Sequence, residues 1–265
     1  MHDRRGGAWL EAGSWSLLGI RLSSADADAI AAACTEPALV AGPPATVACA
    51  NLHSMATATR DPVFAAALQA ATFVTADGAP VCAAGRLLGE PVGPRVTGYD
   101  VFERVMARLD KRGGRVLFVG SVPPVLDRIL ANAARDYRHI AVDTLSPPFG
   151  DLSGEPTDRI LARIANFRPD VVFVGLSAPK QEIWTIQNAG TIRAGAVICI
   201  GAVFDYYAGT LLRAPPLMRR IGAEWLYRLA QEPRRVWRKY FVSGPIFACR
   251  VLAERFSRWM PRPEG

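Results

Sequence analysis

The sequence lacks a long apolar run. No segment offers the ~18 uninterrupted apolar residues that a membrane-spanning helix needs. The N-terminal stretch contains the pair Arg4-Arg5, but no continuous apolar h-region followed by a small-residue cleavage site, so it matches a secretory signal peptide poorly. We therefore expect a chain that does not cross a bilayer.

Residues that bind metals are few and scattered. The cysteines form no C-x-x-C pair and the histidines are dispersed, which argues against a zinc site and against a catalytic triad. Asp26-Ala27-Asp28 matches a D-x-D metal motif, but it opens a predicted helix instead of ending a strand. We expect a reduced, cytosolic protein without a metal. The residues concerned are Cys34, Cys49, Cys82, Cys199, Cys249, His2, His53 and His139.

The sequence has enough apolar residues for a full core, and its excess positive charge lies at one end of the chain. The chain has 265 residues, 50% of them hydrophobic, and a net charge of +7. Residues 211–265, called the tail below, hold twelve basic and four acidic residues, so the tail carries +8 and the preceding body −1. Such a tail indicates an anionic partner, either membrane or nucleic acid, with a merely solubilising tail as the alternative.

Short apolar runs alternate with helical stretches through the body, a pattern typical of a largely parallel, Rossmann-like α/β sheet with crossover helices. Val171 to Gly175 is the clearest buried strand, because its positions are continuously apolar. The other predicted strands are Trp15 to Ile20, Thr46 to Ala50, Thr72 to Thr75, Arg115 to Val119, His139 to Val142 and Ala196 to Ile200. The predicted helices are Ala25 to Cys34, Pro62 to Ala70, Val81 to Leu88, Tyr99 to Lys111, Pro124 to Tyr137, Thr157 to Phe167 and Lys180 to Ala189.

The composition changes near Thr210, and we place a boundary there between an α/β domain (1–210) and a helical, basic appendage (211–265). Met218, Ile221, Trp225 and Leu229 recur at helical spacing, which predicts one amphipathic helix over this segment.

Two loops after predicted strands carry candidate catalytic residues, since ligands of parallel sheets lie beyond the carboxyl ends of the strands. Asp77 follows one strand and precedes Gly78, so it is placed to act as a base, with a helix N-cap as the alternative. Arg95 lies in a turn that runs through Thr97 into a helix. An arginine beside helix N-terminal amides suits a diphosphate, although a solvated surface turn is the alternative.

Two further loops are weaker candidates. Gly120-Ser121 ends a strand and precedes a proline-started helix, but it lacks the G-x-G-x-x-G fingerprint of a dinucleotide site, which disfavours a dehydrogenase. The loop Gly175 to Glu182 places Lys180 in a first helical turn against the helix dipole. An anion bound there would explain the lysine, and Glu182 alone would also offset it.

Taken together, these loops resemble the WecG/TagA/CpsF family of glycosyltransferases. The matching segments include Thr75-Ala-Asp-Gly, Arg95-Val-Thr-Gly-Tyr-Asp and Val174-Gly-Leu-Ser-Ala-Pro-Lys-Gln-Glu. Gly201-Ala-Val-Phe-Asp-Tyr-Tyr-Ala-Gly and Glu224-Trp-Leu-Tyr-Arg-Leu match as well. They occur in order from about Gly19 to Tyr240.

The resemblance implies an inverting transferase that moves a sugar from a UDP-sugar to an undecaprenyl-diphosphate-linked acceptor, in the synthesis of a surface polysaccharide such as an exopolysaccharide. It implies that Asp77 is the catalytic base and that Arg95 binds the diphosphate of the donor or the phosphates of the acceptor. We expect no cofactor and no metal. The substrate-binding residues expected are Asn51, Gly78, Thr97, Gly120, Ser121, Gly175, Lys180, Gln181 and Asp205.

The resemblance also implies that the tail docks on the anionic inner leaflet of the cell membrane, as a peripheral protein on the cytoplasmic side. It leaves assembly into a homo-oligomer open. The rival hypothesis is a non-enzymatic nucleic-acid-binding protein with an arginine-rich arm, which leaves the loops without a purpose; we expect no nucleic-acid partner. The residues expected to dock are Arg219, Arg220, Trp225, Arg228, Arg234, Arg235, Trp237 and Arg238.

Overall fold

The computed structural model describes residues 13–36 and 42–259, without the side chain of Arg220. The body contains eight strands and nine helices within these ranges. The strands are β1 (Ser14–Leu17), β2 (Ile20–Ser23), β3 (Ala45–Ala50), β4 (Phe73–Ala76), β5 (Gly114–Gly120), β6 (Ile140–Leu145), β7 (Val171–Gly175) and β8 (Ala196–Cys199). The helices are α1 (Ala27–Thr35), α2 (Leu52–Ala58), α3 (Pro62–Ala70), α4 (Ala79–Leu87), α5 (Gly98–Arg112), α6 (Pro123–Asp136), α7 (Glu155–Phe167), α8 (Lys180–Asn188) and α9 (Val203–Tyr207).

Six strands form one parallel sheet in the order β4-β3-β8-β7-β5-β6. The central strand β7 is buried along Val171 to Val174 because helices cover both faces of the sheet, as its continuous apolar run predicts. Phe102 packs edge to face on Phe118 and Phe173, which are tilted against each other, with ring centroids 5.2 to 6.2 Å apart. The expected fold class is confirmed.

The predicted strand from Trp15 to Ile20 is wrong, because the chain reverses inside it. Leu18 and Gly19 both adopt positive φ, 50° and 78°, and form the turn of an antiparallel hairpin between β1 and β2. Trp15, Leu17 and Ile20 are buried in a cluster with α2, α3 and α4. The helices α2 and α9 lie where no helix was predicted.

The described part of the tail folds into four helices: α10 (Pro216–Arg220), α11 (Glu224–Gln231), α12 (Pro233–Phe241) and α13 (Ser243–Trp259). The single helix predicted over Met218 to Leu229 is wrong. Gly222, with a φ of +74°, separates α10 from α11, since a left-handed residue ends a helix.

The last helix, α13, packs against the body. Phe247 and Val251 are buried in the cluster that contains the hairpin and α2. Glu254 accepts a hydrogen bond from the backbone of Leu18 at 3.0 Å, and Arg258 pairs with Glu90 at 2.7 Å. No helix within the described ranges is long and apolar enough to cross a membrane.

Candidate active site

A cavity of about 230 Å³ lies at the carboxyl ends of β3, β4 and β8. The loops that follow these strands form its floor and one side. The start of α8 adds a second side, and the tail helices α11 and α12 add a third. The cavity therefore lies where parallel sheets bind their ligands.

Asp77 lies at the end of β4 and lines the cavity. Its backbone N–H donates to the carbonyl of Ala50 at 3.0 Å, which fixes the residue beside β3. Gly78, with a φ of +120°, is the N-cap of α4, so Asp77 is not the helix cap that was the alternative. Its carboxylate accepts no hydrogen bond from the described residues. Its place in the cavity therefore leaves it available to a substrate.

The environment of Asp77 favours its protonated form. Burial, first, and then the negative charges of Glu224 and Asp100 raise the pKa of Asp77 to about 7, while Arg95 and Arg228 oppose this rise. A carboxylate whose pKa lies near neutral pH is suited to accept a proton from a hydroxyl.

Arg95 lies close to Asp77 on a rigid turn. Gly93 permits this turn, because a Cβ there would lie 2.6 Å from Cα of Ser24, and the N–H of Val96 donates to the carbonyl of Ala76 at 3.3 Å. The Arg95 side chain makes no hydrogen bond or ion pair with any residue that the structure describes. It lines the cavity and is free to bind an anion.

Asn51 and Thr97 line the cavity while capping helices. The Asn51 side chain accepts hydrogen bonds from the N–H groups of His53 and Ser54, at the start of α2. Thr97 forms a capping box with Asp100 at the start of α5. Both side chains are therefore held in place, and a role in binding substrate stays a prediction.

Gln181 and Glu182 form a buried pair at the start of α8. The Gln181 side chain donates to Oε1 of Glu182 at 2.7 Å, while Oε1 of Gln181 and Oε2 of Glu182 have no partner in the described part of the chain. Burial raises the pKa of Glu182 to about 7, against the effect of this hydrogen bond. Both residues contribute to the cavity wall.

The tail closes one side of the cavity with residues that were expected to face the membrane. Trp225 and Arg228 of α11 and Arg235 of α12 line it, together with Lys239 and Tyr240. A Cβ at Gly222 would lie 2.8 Å from Cβ of Ala79, so the tail backbone touches the first turn of α4. The tail is thus part of the site.

Comparison with known proteins gives the chemistry that this geometry serves. The model of the glycosyl transferase WecG/TagA/CpsF family matches residues 15–261, which is nearly the whole chain. The chain belongs to this family. It is therefore a glycosyltransferase, and the rival of a non-enzymatic nucleic-acid-binding protein is set aside.

Two relatives carry the name N-acetylglucosaminyldiphosphoundecaprenol N-acetyl-beta-D-mannosaminyltransferase. The one from Bacillus spizizenii is 30% identical over 208 residues, which cover 78% of this chain and 79% of the relative. The one from Bacillus subtilis strain 168 is 31% identical over 202 residues, which cover 74% and 75%.

Several residues that the family motifs suggested lie outside the cavity wall. At Gly120, whose φ is +128°, a Cβ would lie 2.5 Å from the carbonyl oxygen of Gly175, so this glycine lets β5 and β7 end side by side. Ser121 follows Gly120 with a φ of 60°. Lys180 donates to the carbonyl of Gly150 instead of facing the cavity. A substrate-binding role for these four residues stays a prediction that the geometry does not support.

Several further predicted residues do not line the cavity: Asp205 in the body and Arg219, Arg234, Trp237 and Arg238 in the tail. Asp205 pairs with Arg235 at 3.3 Å, so it holds α12 against α9. The side chains of Arg234, Trp237 and Arg238 are exposed on the outer side of α12. Nε of Arg219 is buried without a described hydrogen-bond partner, and the side chain of Arg220 lies outside the described atoms.

The cavity residues that sequence reasoning missed include His53, Tyr99, Arg213, Glu224, Lys239 and Tyr240. Arg213 stacks on Tyr99, 3.9 Å from the ring centroid, and pairs with Asp100 at 3.3 Å. Burial and the neighbouring Arg228 and Arg235 lower the pKa of Lys239. The position of His53 just after β3 and the place of Tyr99 in the segment from Arg95 to Asp100 were available signals, whereas the tail residues depend on how the tail folds back.

Several cationic side chains line the cavity, and its described residues include no metal-binding cluster. Within the described residues, no group of three histidine, cysteine or carboxylate side chains is placed to hold a metal ion. The cationic side chains that line the cavity are Arg95, Arg213, Arg228, Arg235 and Lys239. Such a set can neutralise a diphosphate.

Proposed function

We propose that this glycosyltransferase moves a sugar from a UDP-sugar to an undecaprenyl-diphosphate-linked acceptor, with inversion at the anomeric carbon. The observation that carries the proposal is the unpartnered carboxylate of Asp77 in a cavity lined by cationic side chains. The relatives' names supply the acceptor class, N-acetylglucosaminyldiphosphoundecaprenol, and the transferred sugar, N-acetylmannosamine.

In the proposed reaction, Asp77 takes the proton of an acceptor hydroxyl as its oxygen bonds to the anomeric carbon. The bond from this carbon to the diphosphate breaks at the same time, and the electron pair leaves with UDP. An α-linked donor then gives a β-linked product, the linkage that the relatives' names contain. The pKa of about 7 supports the role of Asp77, because a base works best when its pKa is near the working pH.

The charge of the leaving diphosphate must be stabilised as its bond to the sugar breaks. Arg95 approaches from the body, and Arg228 and Arg235 approach from the tail. We propose that these side chains take the place of a divalent cation. Arg95 has no protein partner among the described residues, which supports this role.

We further propose that the protein works on the cytoplasmic face of the cell membrane, where a lipid-linked acceptor is presented. The support is a set of exposed apolar tail residues beside exposed arginines, since aromatic and arginine side chains suit an anionic interface. Arg234 and Arg238 lie beside this set. The apolar residues are Leu217, Ile221, Leu226, Trp237 and Phe241.

The proposal is tested with purified full-length protein, a panel of UDP-sugars and a GlcNAc-diphosphate-lipid acceptor, in the absence and in the presence of EDTA. We expect a new lipid-linked disaccharide with a β-linkage, formed fastest with UDP-N-acetylmannosamine, and turnover unchanged by EDTA. If a glycan product forms only with another donor, the transferred sugar is the one in that donor and not N-acetylmannosamine. Transfer that stops on addition of EDTA would contradict the role given to the arginines.

A further inference from the structure

The first helix of the tail wall, α11, begins next to the residue proposed as the base. The tail backbone reaches the first turn of α4 at Gly222, where a Cβ would lie 2.8 Å from Cβ of Ala79. Ala79 is two residues after Asp77, and Glu224 is two residues after Gly222. This contact brings a carboxylate of the tail to the same end of the cavity as the carboxylate of the body.

Glu224 faces the cavity with a free charge. It lines the cavity together with Arg228, one turn further along α11. Its carboxylate makes no hydrogen bond or ion pair with the residues described. Two other carboxylates nearby are paired, since Asp100 binds Arg213 at 3.3 Å and Glu232 binds Arg235 at 2.8 Å. Glu224 is thus a carboxylate near Asp77 that has no hydrogen-bond or ion-pair partner among the described residues.

Charged or ionisable groups from four described segments lie near Asp77. Three of them are Arg95 in the turn before α5, Asp100 in the first turn of α5 and Tyr206 of α9. The others are Glu224 and Arg228 of α11 and Tyr240 of α12. The thiols of Cys49 and Cys82 are uncharged near neutral pH, because burial raises their pKa values. After burial itself, Glu224 is the largest cause that raises the pKa of Asp77.

We propose that Glu224 is a positioning residue that the tail supplies to the catalytic base, so that the surroundings of Asp77 are complete only when α11 lies on the cavity. The inference rests on the proposed role of Asp77. A neighbouring negative charge makes the proton taken from the acceptor more stable on Asp77. The tail also buries Asp77, so docking of the tail and strengthening of the base are one event.

The first test measures the pKa of Asp77 itself and needs no substrate. The carboxyl carbon of Asp77, labelled with ¹³C and assigned with the Asp77→Asn variant, is titrated by NMR in the full chain. Glu224→Gln should lower the pKa of Asp77 by about half a unit or more, because it removes a like charge. Glu224→Asp, which retains the charge, should restore most of the shift.

Two variants separate the charge of Glu224 from the burial that the tail provides. Glu155→Gln removes an equal charge from the first turn of α7, away from the cavity, and should leave the pKa of Asp77 unchanged. Gly222→Ala should lower it as well, because lifting α11 removes both the burial and the carboxylate of Glu224 from Asp77. An unchanged pKa in Glu224→Gln, beside a lowered one in Gly222→Ala, would overturn the role of Glu224.

The pH profile of turnover then links Glu224 to the reaction. In Glu224→Gln the acidic limb of the kcat/KM profile should move to lower pH by the same amount as the pKa of Asp77, because the base loses its proton at a lower pH. An acidic limb that stays in place while the pKa of Asp77 moves would contradict a role in the reaction. Absence of transfer in the parent protein would refute the proposed function and leave the charge coupling standing.

Discussion

The proposed chemistry of the site uses a few side chains that have no partner among the described residues. Asp77 and Arg95 both line the cavity and bind no described neighbour, whereas Asp100 and Arg213 bind each other. An unpaired charge in a partly desolvated site costs stability, and such costs are typical of functional residues. The two residues that the motifs suggested most clearly therefore differ from their neighbours by lacking partners.

Asp77→Asn should abolish transfer. Asparagine has the same size as aspartate but cannot take a proton, so we expect turnover to fall by ~10²–10⁴-fold, the usual effect of losing a general base. UDP binding, measured by calorimetry, should change little. Turnover within a few-fold of the parent would exclude Asp77 as the base.

The same substitution should stabilise the fold at high pH. The pKa of Asp77 rises from 3.8 to about 7 on folding, so between these pH values the folded chain binds a proton that the unfolded chain has released. Stability from this group therefore falls as pH rises through that window. In thermal melts, Asp77→Asn should unfold above the parent at pH 8 and together with it near pH 4. A variant that melts lower at pH 8 would contradict the desolvated state of Asp77.

At the scale of elements, the sequence predicts the strands of the sheet well because their burial is local in origin. The buried strand at Val171 to Gly175 has the bounds that its apolar run predicts, and Asp77 follows the end of β4. The hairpin turn at Leu18 and Gly19 was missed, because its two strands together resemble one apolar run. The break at Gly222 was missed because helical spacing continues across it and a glycine inside a helix costs only ~1 kcal/mol.

Gly222→Ala should uncouple the tail from the active site. The new Cβ meets Cβ of Ala79 and also forces a side chain onto a φ of +74°, so α11 must move away from α4. We expect turnover with a lipid-linked acceptor to fall at least tenfold.

Gly209→Ala is the matched control for this substitution. Gly209 has a φ of +71°, but a Cβ added there would meet no described atom of a non-adjacent residue within 4 Å, so the variant carries the backbone strain without the contact. It should lose stability and retain turnover. Equal losses of turnover in both variants would assign the effect to strain alone and contradict the seating of the tail on α4.

At the scale of the whole molecule, the tail contacts the core, lines the cavity and exposes an outer side to solvent. Helix α13 completes the core through Phe247 and Val251, while α11 and α12 close the cavity on one side. Their outer side exposes both apolar side chains and arginines. The division of the chain at residue 211 stays a prediction, and a deletion from that point would uncover the core beneath α13. Substitutions on the outer side are therefore the better test of membrane docking.

The intact protein should sediment with anionic vesicles and be released by salt. Arg234 and Arg238 are exposed on α12 beside Trp237, whereas Arg228 and Arg235 face the cavity. Charge reversal of Arg234 and Arg238 together should weaken vesicle binding about tenfold or more, since each basic residue contributes ~1 kcal/mol near an anionic leaflet. UDP binding should be unchanged in this variant.

Reversal of Arg128 and Arg159, exposed on α6 and α7, is the control of equal charge and should leave vesicle binding nearly intact. Raising the salt from 0.1 M to 1 M should release the parent protein, because the Debye length falls from ~10 Å to ~3 Å. Vesicles of neutral lipid should bind it less at either salt concentration. If both double variants lose binding equally, net charge and not the outer side of α12 attracts the membrane, and the docking surface must be sought elsewhere on the molecule.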